Sequence, residues 1–243
     1  MTTPLVQAII LAAGNGDRFR NGSAHSKLTT LIAGKPLLVR TMISARAAGI
    51  TDAHVVLGYD ADHVRALAIS QAPVGLTLHF HFNRDWHQEN GRSVLQPHAA
   101  VTGRPFAILM GDHIFEPQAL RSLARAQRGL GEALIGIDRH TTDLDIVAEA
   151  TKVRTSGDRV TAIGKTIDPF DGLDTGLFVC DESLFPALRD SCAAGNTTLS
   201  GGVARLAAQG LVRGVDIGFA RWCDIDTLGD LTLAEALASA PAA

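Results

Sequence analysis

Apolar residues in the first half of the chain arrive in short blocks, separated by stretches of helical period. Residues 6–11 are apolar enough for a strand buried on both faces. Pro36 suits the first turn of a helix whose apolar positions Leu37, Met42, Ile43 and Ala47 recur at near-helical spacing, and Gly49 ends it. Residues 53–57 read as a second buried strand, after which Asp60 is placed to cap a helix carrying Val64 and Leu67. A third strand covers 76–82; the polar stretch 83–92 and a helix near 93–101 then lead to a fourth at 104–110. Strands separated by helices pair in parallel through right-handed crossovers, and ligands gather at the strands' carboxyl ends. The turn at Gly14 and the pair Gly111-Asp112 both fall at such ends.

From about residue 130 the pattern changes. The blocks at 133–137, 150–154, 160–163 and 177–180 are shorter and joined by turns such as Ser156-Gly157-Asp158. They are expected to extend the sheet or to form a small mixed lobe over the site, where a second substrate is selected. Residues 198–209 and 228–237 read as helices, and the Ala/Pro-rich end is expected to fray. No linker and no internal repeat interrupts the chain.

Composition narrows the class without naming it. With 243 residues the chain buries a substantial core and is most simply one α/β domain. Charged residues are 19% and the net charge is −3, which gives no nucleic-acid-binding surface. No apolar run approaches the roughly 20 residues that span a bilayer, and Met1-Thr2-Thr3-Pro4 lacks the basic start of a signal peptide. Cys180, Cys192 and Cys223 form no CxxC and leave one thiol over in any disulfide scheme. The expectation is a reducing cytoplasm with buried thiols.

Candidate chemistry starts where the first strand ends, in LAAGNGDRF at 11–19 followed by Lys27. Gly14 and Gly16 lack Cβ atoms, so successive backbone N–H groups can turn toward an anion, and Arg18 and Lys27 can neutralise phosphate charge. The string is not a P-loop, because no Gly-Lys-Ser/Thr closes it, and as a dinucleotide fingerprint it carries Phe19 at the third glycine position. A bare Gly-x-Gly is also an ordinary surface turn. Acidic residues supply the second part. Asp112 follows an apolar strand, and Asp224 and Asp226 alternate along an extended segment, which puts both on one face. Mg²⁺ takes one or two such carboxylates together with phosphate oxygens; taken singly, each Asp also suits a turn or a helix cap, Asp226 or Thr227 before the last helix included. His79 and His81 share a strand face, but without a third ligand at suggestive spacing they read as ordinary histidines.

The complete N-terminal string resembles the signature loop of the sugar-phosphate nucleotidyltransferases. ENGRSVL at 89–95, MGDHIF at 110–115, EATKV at 149–153, IGK at 163–165, DTGLFV at 174–179 and WCDIDT at 222–227 follow in order. Together they resemble the CTP:inositol-1-phosphate cytidylyltransferases, the cytosolic half of enzymes that make phosphoinositol lipids. The resemblance implies a Rossmann-like nucleotidyltransferase fold with a mostly parallel central sheet flanked by helices and a small mixed β extension. It implies one domain over 1–243, with about 1–130 holding the nucleotide and about 131–243 the acceptor. CTP and inositol 1-phosphate would give CDP-inositol and pyrophosphate, with Mg²⁺ on Asp112 and Asp224. Arg18 and Lys27 would act on the triphosphate and Lys165 on the incoming phosphate. Leu11, Ala12, Ala13, Gly14, Asn15, Gly16, Asn90, Gly91, Ser93 and Asp112 would bind the nucleotide. His113, Glu149, Lys165, Asp174, Thr175 and Gly176 would bind the acceptor. Against these roles, Lys152 also reads as a solvated strand residue and Glu149 as a partner for Arg154.

Three departures stand out. The segment 20–26 is longer and more polar than the family leads one to expect, which loosens the placement of Lys27. Arg92 stands where a neutral or aromatic residue is expected, near the base pocket. Many relatives continue into a membrane-embedded transferase, so such a partner is expected to be a separate protein, and a homodimer stays open. Other readings remain. A phosphonate such as 2-aminoethylphosphonate needs only basic residues and Mg²⁺ as an acceptor, whereas phosphocholine needs an aromatic cage that one tyrosine and two tryptophans hardly supply. A silent nucleotide-binding module is opposed by the intact candidate ligands, and a dinucleotide oxidoreductase by Phe19.

Overall fold

A computed structural model describes residues 4–20 and 25–239. The expectations about the N-terminal start, most of the 20–26 segment and the Ala/Pro end fall largely outside those residues. Strand β1 (Gln7–Ala12) passes through the glycine turn into a short helix α1 (Asp17–Arg20). A 3-10 turn (Lys27–Thr29) and a small hairpin, β2 (Leu31–Ile32) and β3 (Lys35–Pro36), precede α2 (Leu37–Ala47). Then come β4 (Asp52–Leu57), α3 (Ala61–Ser70), β5 (Thr77–Phe82), α4 (Gly91–Leu95), α5 (His98–Val101), β6 (Phe106–Met110), β7 (His113–Phe115) and α6 (Pro117–Arg125). The second half runs β8 (Ala133–Asp138), α7 (Leu144–Glu149), β9 (Lys152–Ser156), β10 (Arg159–Gly164), β11 (Gly172–Cys180), α8 (Leu184–Ala193), α9 (Leu199–Ala208), β12 (Val212–Asp216), β13 (Trp222–Asp224) and α10 (Leu231–Ser239).

Nine strands form one sheet in the order β5-β4-β1-β6-β11-β8-β12-β10-β9. β1 lies between β4 and β6, parallel to both, and its side chains alternate between two cores: Ala8, Ile10 and Ala12 in one, Ile9 in the other. A strand covered on both faces must be apolar at successive positions, which is why the 6–11 block is legible. The parallel arrangement is confined to β5-β4-β1-β6 and to the pair β8–β12. β11 runs antiparallel to β6, β8 and β9, and β10 antiparallel to β9 and β12, so the sheet is mixed rather than mostly parallel. The tight turn at Ser156-Gly157-Asp158 dictates part of this, because a short turn can join only antiparallel strands.

Local corrections follow from helix phase and turn geometry. In α2 the buried set is Leu37, Leu38, Val39, Thr41, Met42 and Ala45, while Ile43 and Ala47 are exposed. Thr41 Oγ1 lies 3.2 Å from the Gly111 carbonyl and 3.0 Å from that of His113, fastening α2 beneath the Asp112 turn. Asp60 occupies the N-cap position of α3 in a left-handed conformation, and its side chain makes no cap hydrogen bond. The helix expected near 93–101 breaks into α4 and α5, with Pro97 as the second one's N-cap. Cys192 is only partly buried, unlike Cys180 and Cys223. Among the described residues no helix is long and apolar enough to cross a membrane.

Candidate active site

Two three-residue strands assemble the acidic centre. β13 pairs antiparallel with β7, setting Asp224 opposite His113, and the Ile225 N–H donates to the Asp112 carbonyl at 3.2 Å. Motifs more than a hundred positions apart thus become neighbours in one ribbon. The buried Lys27 ammonium completes the group. It donates to Asp112 Oδ2 at 2.8 Å, Asp226 Oδ1 at 2.9 Å and the Ile225 carbonyl at 2.8 Å. Gly16 makes room for it: φ is +62°, and a Cβ there would lie 2.9 Å from the Lys27 methylenes. Arg18 sits at the rim, 2.5 Å from Asp226 and 3.6 Å from Glu149.

His113 Nδ1 lies 3.1 Å from Asp112 Oδ1 and 3.7 Å from Asp224 Oδ1. Its ring stacks on Trp222 at 6.1 Å between centroids, and Trp222 Nε1 donates to Asp138 Oδ2 at 2.9 Å. Gly176, at φ +73°, allows this placement, since a Cβ there would approach His113 Nε2 to 2.9 Å. Burial alone would lower the pKa of His113, but Asp224 and Asp112 raise it to about 9, so the ring is cationic at neutral pH. Burial works against ionised Asp112, yet Lys27 and His113 hold it far below the ordinary carboxylate range. Asp224 is displaced upward by burial; His113 opposes this, and Asp112 and Asp226 reinforce it. Asp224 Oδ1 is buried and has no hydrogen-bond partner. That orphaned oxygen, within 4.8 Å of a carboxylate oxygen of Asp112, suits a hard divalent cation, so the two carboxylates fit Mg²⁺, with the cationic His113 beside them rather than among the ligands.

The centre opens into a cleft of about 840 Å³. Of the residues singled out from sequence, Arg18, Asn90, His113, Glu149, Lys165, Asp174, Gly176 and Asp224 line it. Asp112 and Lys27 reach it through the ion-paired cluster. Leu11, Ala12 and Ala13 form the end of β1 and the start of the turn: the Leu11 carbonyl accepts from Gly111 N–H and that of Ala13 from Tyr59 N–H, both at 2.9 Å. Gly14 is exposed, and Asn15 Nδ2 donates to Asp17 Oδ2 at 2.5 Å. Asp174 is raised to about 6 by burial, with the Gly176 N–H and His113 pulling the other way.

Several expected contacts go elsewhere. Thr175 is fully buried and donates to the Gly136 carbonyl at 3.0 Å, so it does not face the cleft. Ser93 is buried and accepts from Asn83 Nδ2 at 3.0 Å. Gly91 packs under residues 197–198, its N–H on the Thr197 carbonyl at 3.0 Å. Arg92 Nε donates to Gln88 at 3.1 Å. Lys152 is buried, donating to the Ala148 carbonyl at 3.1 Å, and Glu149 pairs with Arg18 while Arg154 bonds the Pro169 carbonyl. Thr227, not Asp226, starts the last helical segment, through a capping box with Asp230. His81 Nε2 faces His54 Nδ1 at 3.0 Å, and His79 Nε2 faces Asp52 at 3.4 Å. Asp226, singled out with Asp224 by their alternation but given no role, also lines the cleft, and so do Trp222, Asp143 and Asp145, which the sequence does not assign there. The short α7 and its cap carry no signal for the last two.

Residues 8–196 match the family described as the MobA-like NTP transferase domain. A bifunctional IPC transferase and DIPP synthase of Rubrobacter xylanophilus is 36% identical over 234 residues, covering 95% of this chain and 51% of that protein. The chain therefore spans about half the length of that relative. A CMP-5′-(3-aminopropyl)phosphonate synthase of Streptomyces rubellomurinus is 31% identical over 122 residues, 50% of this chain and 19% of that one. Among solved structures, the inositol-1-phosphate CTP transferase from T. maritima has the same fold, with a TM-score of 0.86 at 23% identity over 100% of both chains. The fold is thus shared, and this chain is a nucleotidyltransferase belonging to the MobA-like NTP transferase family.

Proposed function

We propose that the chain transfers CMP from CTP to inositol 1-phosphate, giving CDP-inositol and pyrophosphate. The observation that carries this reading is the 36% identity, over nearly the whole chain, to a protein whose first-named activity is IPC transferase. A phosphate oxygen of the acceptor attacks the α-phosphorus of CTP, and the bond to the β-phosphate breaks as pyrophosphate leaves. That oxygen is already anionic, so no general base is needed, and catalysis consists of aligning two polyanions and offsetting their charge. Mg²⁺ held by Asp112 and Asp224 would supply charge neutralisation at the α-phosphate. Arg18 serves the polyphosphate directly, Lys27 acts on it through the Asp112 and Asp226 carboxylates it orders, and the turn at 14–16 offers backbone N–H groups. Lys165, exposed in the cleft, meets the acceptor's phosphate, while Asp174 accepts from ring hydroxyls. Asn90 contributes to the nucleotide side.

A second reading has its own support in the partial match to a phosphonate-activating synthase: the acceptor is an aminoalkylphosphonate. Pyrophosphate release from each nucleoside triphosphate crossed with inositol 1-phosphate, 2-aminoethylphosphonate, phosphocholine and glucose 1-phosphate separates the two. The inositol reading expects CTP with inositol 1-phosphate to have the highest kcat/KM. A phosphonate that outcompetes it overturns the acceptor but leaves cytidylyl transfer standing.

A further inference from the structure

His25, Asp60 and His63 meet outside the cleft, at the start of α3. His25 Nδ1 and His63 Nδ1 lie 3.1 Å apart, and Asp60 Oδ2 is 3.3 Å from the second and 3.6 Å from the first. The imidazoles meet edge to face, with centroids 4.5 Å apart and planes at 68°, rather than stacking. One ligand atom from each of the three residues lies within 4.8 Å of the other two.

A cation meets all three. A tetrahedral ion about 2.0–2.1 Å from each ligand atom holds those atoms about 3.3–3.4 Å apart, and the three observed separations bracket that value. We infer that His25, Asp60 and His63 form a binding site for a Zn²⁺-class ion, separate from the Asp112–Asp224 centre. Two imidazoles and a carboxylate select borderline first-row metals, whereas Mg²⁺ and Ca²⁺ prefer all-oxygen sets. Three protein ligands leave the fourth position to water.

The chain geometry serves such a site. Asp60 adopts φ +52°, in the left-handed region where Asp is among the few residues tolerated, and this turns its carboxylate away from capping α3. Asp60 Oδ2 also accepts the Ser26 N–H at 3.0 Å, and Ser26 caps the turn that begins with Lys27. An ion here would tie the segment entering Lys27 to α3, acting as a staple on the phosphate loop.

Calorimetric titration of the full, tag-free protein with Zn²⁺ in saturating Mg²⁺ tests the assignment, with the visible spectrum of bound Co²⁺ as a report on tetrahedral geometry. One equivalent is expected in the wild type and in Asp224→Asn. His25→Ala and His63→Ala, on separate segments and both at exposed positions, should each weaken it by more than the roughly 10–100-fold that loss of an outer partner costs. The melting temperature should rise with Zn²⁺ in the wild type but not in the two His variants. Absence of a Mg²⁺-insensitive equivalent in the wild type, or its retention in both His variants, overturns the site.

Discussion

Lys27 directs all three of its ammonium protons to oxygen, and two of the acceptors are carboxylates. Burial would lower its pKa, but Asp112 and Asp226 raise it above the ordinary lysine value, so the charge is permanent. Lys27→Ala is expected to cut turnover by about 10²–10³-fold, the usual loss for a preorganised electrostatic group. Lys35→Ala, at an exposed position of the hairpin before α2, should stay near wild type; equal losses in steady-state assays would mean that the wrong lysine carries the function. Asp112→Asn and Asp224→Asn should each lower turnover by about 10²–10³-fold at saturating Mg²⁺ while leaving the circular dichroism spectrum intact. Wild-type rates in both would remove these residues from the metal site. At this scale the sequence is informative wherever a residue's chemistry is unusual for its surroundings. A lysine after a glycine turn and an aspartate after an apolar strand are visible in the string. Trp222 is not, because its part is played through stacking on His113 and a bond to Asp138, contacts that exist only after folding.

The parallel half of the sheet is legible because double-sided burial demands apolar blocks, and blocks survive uncertainty about their ends. β7 is not legible, since three residues are too few for an alternation to emerge, and β13 is legible only as an extended segment; their pairing joins segments remote in sequence. The motifs that hold the acidic residues can thus be read, but not the ribbon that joins them. α7 is missed for the same reason of length. In the cleft, Asp174 on β11 and Lys165 just after β10, the two residues proposed to meet the acceptor, ask different things of a ligand. Asp174→Ala should raise KM for inositol 1-phosphate strongly and change little for a hydroxyl-free phosphonate, because only the first leaves hydroxyls unpaired. Lys165→Ala should impair every acceptor, since each brings an anionic phosphorus centre. Parallel losses on both substrates in Asp174→Ala would show that its carboxylate does not read hydroxyls.

For the molecule as a whole, acid sensitivity has a source far from the cleft. His54 is 5% exposed on β4, stacked on His79 at 4.7 Å and bonded to His81. Burial, then His79 and His81, lower its pKa to about 4 from 6.5, while Asp52 weakly opposes them. The unfolded chain therefore binds a proton that the folded one refuses. The stabilisation is complete above pH 6.5 and is lost as pH falls toward 4. Each tenfold change in proton affinity is worth about 1.4 kcal/mol, so the full loss is about 3 kcal/mol. Urea unfolding across that window should show a shallower pH slope in His54→Gln than in the wild type, and identical slopes would refute the assignment. The register slip in β11 also acts at this scale. Between Asp174 and Phe178 the pairing with β8 shifts, and Thr175 closes the gap onto Gly136. Residues 177–180 pair with β6 and 172–173 with β9, and because the slip is an even one Leu173, Leu177 and Val179 stay in one core while Phe178 and Cys180 face the other.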